Sequence, residues 1–572
     1  MQAKVGRVLG SLLMVGLVAL AVGCKKPDAR RGEPGAAAGT APGSSGGGAT
    51  VELRIAYGSE KKTWLEEQIA AFNASVTRLG SGARVHVTGS ASGSGEAMAA
   101  ILDGSARPHV FSPASTAYLT LLNQAWQSRD AHTRPLAPAG EPIVLSPIVI
   151  AMWKPMAEAL GWPGKDLGWA DIVRLSQDPR GWATYDRPEW GSFKLGHTHP
   201  EYSNSGLLAV LAATYAATGK TSGLTQADVD DRATAAFLAK VEDAVVHYGK
   251  STSLFADKMS ERGPSYLSAA VLYENLIVEA NSRTPAPAVP LVAVYPVEGT
   301  FWSDHPYAIL DADWVGADER AAAEAFLAFV KARPAQQRAL ALGFRPADPA
   351  IAIGAPIDGA HGVDPQQPQT LLAVPDGATL ERLLAVWRTV KKSSEVTLVF
   401  DKSGSMEGRP LAEAKAGAKA FLATLDPHDQ ITVVFFDDKV YPPIGPVEVG
   451  RGRAEIEQRL DGAIASGGTA LYDAVIASHR ALAGRLRANP HRIHAVVVMT
   501  DGVDEDSRGS LDQALAQVTV EGERAVTLFT IGYGDAANAG VLGQLAERAR
   551  GTFSRGSVDD IRQVYRDLAT FF

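Results

Sequence analysis

In the stretch VFDKSGSMEG, Asp401, Ser403 and Ser405 place three small oxygen donors at every second position after an apolar run. Further on, SGGTALYDA presents Thr469 and MTDG presents Asp501. Two carboxylates and three hydroxyls, with no histidine or cysteine, make a set of hard oxygen ligands. That set suits Mg²⁺, Mn²⁺ or Ca²⁺ and not zinc. Small side chains let a loop curl round an octahedral ion while water completes its shell. Hydrolysis at such an ion would need a positioned base or nucleophile beside it. No histidine or lysine suited to that role is evident near these loops, so the expectation is binding and not an enzyme. The acidic run Asp504-Glu505-Asp506 reads as a solvated loop.

These residues meet only if secondary structure carries them to one edge. EVTLVF reads as a buried strand, PLAEAKAGAKAFLATL as a helix, QITVVFFDD as a strand, and HAVVVMTDG and AVTLFTIGYG as further strands with helices between them. Helices alternating with nearly continuous Val/Ile/Phe strands predict a parallel sheet covered on both faces. In such sheets ligands sit at the carboxyl ends of the strands. DKSGS and MTDG both leave strands there, and the Gly-rich turn before Thr469 lies between them.

With those motifs in place, residues 395–572 resemble a von Willebrand factor type A domain, a Rossmann-like α/β fold. Asp401-x-Ser403-x-Ser405, Thr469 and Asp501-Gly502 match that family's metal-ion-dependent adhesion site in order and context. The resemblance implies that Ser403, Ser405 and Thr469 bind the ion directly and Asp401 and Asp501 through water. It also implies an open position for a carboxylate offered by a protein partner. The other reading of the same residues is a domain of this fold whose loops bind no metal.

Residues 51–350 alternate strands, Gly/Ser loops and helices, again α/β. Hydroxyls collect at expected strand ends and helix starts, where backbone N–H groups favour polar or anionic ligands. GSASGSGEA lacks the phosphate-loop pattern. The motifs Trp169-Ala-Asp-Ile, HPEYSNSG from His199, Tyr295-Pro-Val-Glu-Gly and the closing Gly343-Phe-Arg-Pro resemble the type II extracellular solute-binding proteins of bacterial transport systems. The resemblance implies a two-lobed, periplasmic-binding-protein-like domain with a small polar or anionic solute between the lobes. Hinge strands are expected near 146–150 and 292–296. Candidate contacts are Ser59, Ser92, Ser94, Ser115, Ser203, Ser205, Tyr273 and Glu274; for each, helix capping or a plain loop role is the alternative. His197 and His199 read as a polar loop pair and not as metal ligands.

The first 23 residues carry Lys4 and Arg7 before an apolar run, the form of a secretory signal. Cys24, the only cysteine, follows Leu-Ala-Val-Gly and resembles a bacterial lipobox, which implies lipidation and a membrane anchor. Residues 24–50 are rich in Gly, Ala, Pro and Ser and read as a flexible tether. Residues 351–394 are a connector with a helix whose Leu380, Leu383, Leu384 and Trp387 could pack on either domain. A net charge of -8 argues against a nucleic-acid partner. The reading is a lipid-anchored protein of the bacterial cell envelope, facing the periplasm or the exterior. Its A domain grips an acidic group on a protein through a divalent metal, with the two-lobed domain as sensor or scaffold. The alternative is the solute receptor of a transport system with an accessory A domain.

Overall fold

The computed structural model describes residues 49–129, 133–520 and 525–572. The signal, Cys24 and nearly all of the tether lie outside the described residues. Among the described residues no helix is long and apolar enough to cross a membrane.

Among the described residues, three sheets organise the chain. The first lobe is a five-stranded sheet in the order Arg84–Ser92, Thr50–Gly58, Val110–Ser112, Pro306–Ile309 and Glu141–Pro142. Thr50–Gly58 pairs in parallel on both sides, so alternate residues such as Leu53 and Ile55 are buried against Trp64, Phe72 and Phe326. The second lobe is built round the long strand Val144–Trp153, which pairs antiparallel with Ala269–Tyr273 and with Leu291–Val294. Leu195–Thr198 and Val245–Gly249 extend it in parallel.

The lobes are joined elsewhere than expected. The stretch 146–150 and residues 292–294 of the other proposed hinge lie inside the second-lobe sheet, with Ile150 opposite Val294. A continuous apolar run looks the same in a hinge as in a buried strand. The chain changes lobe at Ile143 and again between Ser303 and Pro306, where the Ile143 amide donates to the His305 carbonyl at 3.3 Å. His305 is buried with φ of 38°, left-handed backbone that a non-glycine residue seldom adopts.

The C-terminal sheet runs Ile444–Glu448, Gln430–Phe436, Ser394–Asp401, Ile493–Thr500, Thr527–Tyr533 and Phe553–Gly556. Five strands are parallel, as expected; Ile444–Glu448 pairs antiparallel at the edge, where its Gly445-Pro446 is tolerated. Leu398 and Phe400 pack with Phe421 and Tyr565 on one face, and Val399 packs with Ala474 and Leu545 on the other. Helices Arg409–Thr424 and Ile561–Ala569 therefore cover one face, and Leu471–Ala488, Leu511–Val518 and Ala539–Arg548 the other. Gly417 permits the close approach on the first face: a Cβ there would lie 2.6 Å from the Tyr565 ring.

Candidate metal centre

Asp401 is the last residue of the central strand, fully buried, and the chain turns immediately beyond it. Its two oxygens are held in place. One accepts from the Ser403 amide at 2.7 Å, and the other from the Thr500 hydroxyl at 2.5 Å. Thr500 ends the neighbouring strand Ile493–Thr500, so the sheet itself sets the carboxylate's position. Asp501 follows at once, and its Oδ1 accepts from Ser405 Oγ at 2.8 Å and lies 3.5 Å from Ser403 Oγ. The two hydroxyls are 3.1 Å apart.

Backbone bonds stitch the loops together. The Gly404 amide donates to the Gly467 carbonyl at 2.9 Å, which joins the first loop to the Gly-rich turn. The Thr469 amide donates to Asp506 at 3.1 Å, and the Glu505 amide donates back to the Thr469 carbonyl at 2.9 Å. Gly502 lets the Thr469 side chain come close to the loop after Asp501: a Cβ there would stand 3.3 Å from Thr469 Oγ1. Asp401, Ser403, Ser405, Thr469 and Asp501 thus gather at one sheet edge, with Asp401, Ser403 and Thr469 buried and Ser405 on the rim.

The electrostatics fit a cation. Burial pushes the Asp401 carboxyl up to about 6, and the nearby Asp501 adds to it. Burial also raises Asp501 above the ordinary carboxylate range. Their hydrogen bonds come from hydroxyls and one amide, and among the described residues neither forms an ion pair with a basic side chain. One buried and one half-buried carboxylate without a counter-charge are costly unless a positive ion joins them. Among the described residues no three His, Cys, Asp or Glu side chains gather as a metal site, so the hydroxyls are needed to complete this ligand set.

A neighbouring network escaped the sequence reading. Lys402, between Asp401 and Ser403, turns away from the carboxylates and pairs with Asp437; it also donates to Ser466 Oγ at 3.0 Å and the Tyr441 hydroxyl at 3.2 Å. The lysine of the DKSGS motif is thus committed to Asp437 and away from the carboxylates. Burial opposes its charge, but its bonds to Asp437 and Tyr441 outweigh that and raise its pKa, which makes it a poor base. The available signal was position: Asp437 follows Gln430–Phe436 just as Asp501 follows its own strand.

The solute candidates fall into three groups. Ser94, Ser115, Ser203, Ser205 and Tyr273 lie around the interlobe cleft, but their polar atoms are already paired. Ser115 Oγ donates to Asn204 at 2.5 Å, and Asn204 donates to the Tyr273 hydroxyl at 3.0 Å. Ser94 accepts from the Ala114 amide at 3.0 Å, and Ser203 and Ser205 bond Thr252 at 3.3 and 2.8 Å. Glu274 instead takes a two-pronged ion pair from Arg345, at 2.8 and 2.7 Å, and the Tyr295 hydroxyl at 2.5 Å. Ser92 lines a separate cavity of about 410 Å³ with Arg54 and Arg107, and Ser59 opens the short turn Ser59–Lys61. Asn204, Thr252 and the buried trio Glu60, Lys61 and His305 were missed. Though burial opposes its charge, Lys61 and His305 hold Glu60 down at about 2. The two histidines are not a loop pair: His197 is buried in a strand against Glu242, and His199 is buried against Trp387.

The sequence profile described as bacterial extracellular solute-binding protein matches residues 53–345, and that of the von Willebrand factor type A domain matches 395–567. An uncharacterized protein of Synechocystis sp. is 32% identical over 157 residues, 27% of this chain and 36% of that protein. The chain thus spans about a third of the length of that relative. Among solved structures, a von Willebrand factor type A protein from Catenulispora acidiphila is 22% identical, with a TM-score of 0.28; the likeness covers 32% of this chain and 42% of that one. The sulfate-binding protein SubI from Mycobacterium tuberculosis is also 22% identical, with a TM-score of 0.35 and coverage of 53% and 88%.

Proposed function

Since this chain belongs to the bacterial extracellular solute-binding proteins and ends in a von Willebrand factor type A domain, we propose that it is an anchored, non-enzymatic binding protein of the cell envelope. Its A domain grips an acidic group on a protein partner through a divalent ion. The observation that carries this reading is the pair of carboxylates, buried Asp401 and half-buried Asp501, converging with three hydroxyls and, among the described residues, no ion-paired basic side chain. A bound ion would supply the positive charge that attracts the partner's carboxylate. Ser403, Ser405 and Thr469 offer neutral oxygens, so the ion keeps net charge for that partner. Asp401, fixed by Thr500 and the Ser403 amide, orients the inner edge of the site. The two-lobed domain is the base from which the A domain is presented.

Calorimetric titration with Mg²⁺ or Mn²⁺ tests the site. Wild type should bind one ion and Asp401→Ala none, with the sheet still folded by circular dichroism. Wild type that takes up no divalent ion, or a variant that binds unchanged, would overturn the reading. The anchor is tested separately, since Cys24→Ser should release the protein from the membrane fraction. Undiminished membrane association of that variant would rule lipidation out.

A further inference from the structure

The two-lobed domain carries a device that does not depend on the metal site. Two-lobed binding domains take up ligand by closing about the segments that join the lobes. Here the cleft is closed on the chain itself. On its floor, Ser115 of the first lobe bonds Asn204 of the second at 2.5 Å, and the Tyr118 hydroxyl donates to the Pro200 carbonyl at 2.7 Å. At its mouth, the first turn of helix Ser94–Leu102 points into the second lobe. The amides of Gly95 and Glu96 donate to the Tyr202 carbonyl at 3.0 and 3.3 Å. A helix's first amides have no partner within the helix, and they are the donors a polar solute would take. The approach is close enough to demand glycine: a Cβ at Gly93 would lie 2.2 Å from the Tyr202 oxygen, and one at Gly95 1.9 Å from the Glu201 oxygen.

Across this closed mouth runs the connector helix Gly377–Val390. Its first residue abuts the first lobe, where a Cβ on Gly377 would stand 2.9 Å from Gln124 of helix Thr116–Ser128. Midway, Arg382 pairs with Asp230 of the second lobe at 2.5 Å. Near its end the Trp387 ring packs 4.8 Å from His199 and 5.5 Å from Tyr248, and Arg388 pairs with Glu201. Leu380, Leu383 and Trp387 are fully buried by these contacts. The C-terminal domain adds a third tie: Lys250 of the second lobe reaches Asp567 at 2.7 Å and Glu96 of the first lobe at 3.4 Å.

We propose that Gly377–Val390 is a strap that holds the lobes shut, with the chain's own 199–205 segment standing where a solute would sit. A continuous helix fixed to both lobes cannot follow a hinge rotation, so opening requires release from one of them. The module is then a locked base for the A domain until something detaches the strap.

Hydrogen exchange on the full-length protein reads this directly. The Gly95 and Glu96 amides have no acceptor inside their helix, so their protection reports closure alone. In wild type both should be protected. The double variant Trp387→Ala/Arg388→Ala should speed their exchange by about tenfold or more. Amides of the central C-terminal strand Ser394–Asp401 should stay protected and so show that the variant is folded. Arg382→Ala, a milder release, should shift exchange at Gly95 and Glu96 in the same direction. Unprotected Gly95 and Glu96 amides in wild type would overturn the closed cleft. Unchanged protection in both variants would overturn the strap.

Discussion

The metal-site loops and the interlobe cleft draw on the same chemistry, hydroxyls and carboxylates at strand ends and helix starts, and differ in how it is satisfied. In the cleft the donors and acceptors meet one another: Ser115 meets Asn204, Asn204 meets Tyr273, and Glu60 meets Lys61 at 3.0 Å. At the A-domain edge the nearest lysine, Lys402, is diverted to Asp437, and Asp401 and Asp501 keep their charge problem. A buried polar group that is paired contributes to one fixed structure, whereas one left short of a partner marks where an outside partner belongs. Residue type is therefore a poor guide to a site; the state of satisfaction is a better one.

The comparison breaks most sharply at Glu274, a solute candidate by sequence that the structure pairs with Arg345. Both side chains are buried. Arg345→Ala would leave a desolvated carboxylate without its counter-charge, a change expected to cost about 3–5 kcal/mol. Urea unfolding should show this loss in the two-lobed domain. A cost below about 1 kcal/mol would mean that Glu274 does not depend on Arg345 and is free for a ligand after all.

Asp401 should respond with the opposite sign. Its folded value, about 6, lies above the ordinary 3.8. A raised value means that stability is fully present below the unfolded pKa and is lost as pH rises through the folded one. At neutral pH the metal-free domain therefore carries a penalty. Asp401→Asn keeps the shape and removes the charge, and should stabilise the metal-free protein by about 1–3 kcal/mol. With saturating Mg²⁺ the order should reverse, because only wild type gains from binding. Thermal unfolding with and without EDTA separates the cases. If Asn destabilises in both, Asp401 is a structural acceptor and not a charge held ready for an ion.

Much of the fold was legible because alternating helices and apolar strands admit few arrangements, and the motif after EVTLVF lay at the one edge where loops converge. The lobe crossings at Ile143 and His305 were not legible, since a crossing strand and a core strand carry the same apolar pattern. The Ile444–Glu448 edge strand was hidden by its own Gly-Pro. In the site, the five oxygen-bearing residues stood out by spacing, but Thr500, which fixes Asp401, did not. Its role depends on strand register, with Phe400 opposite Met499, and register is a property of the folded sheet. The cleft misled for a related reason: serines at helix starts look alike whether they await a solute or already hold Asn204 or Thr252.

The smallest expected effect concerns His197, which tests whether the second lobe is as fully paired as its neighbours. His197 Nδ1 lies 2.8 Å from the Thr198 carbonyl and Nε2 lies 3.2 Å from Glu242 Oε1. Both partners are acceptors, so both ring nitrogens must carry hydrogen, and the ring is held as the cation. Burial works against that charge, but attraction to Glu242 outweighs it and raises the pKa above 6.5. The other groups facing it do not compete. The Tyr248 hydroxyl donates to the second Glu242 oxygen at 2.7 Å, and burial keeps His199 neutral, helped by Lys391 and His197. A raised histidine contributes stability fully below 6.5 and loses it as pH climbs through the folded value. Losing the proton would leave the buried Glu242 short of its partner, so the two-lobed domain should unfold at lower urea at pH 9 than at pH 6. His197→Gln should lower the midpoint at pH 6 and flatten the dependence on pH, because glutamine has no proton to lose. An equal slope in the variant would assign the pH dependence to other groups and leave His197 neutral, with one of its two acceptor contacts unfilled.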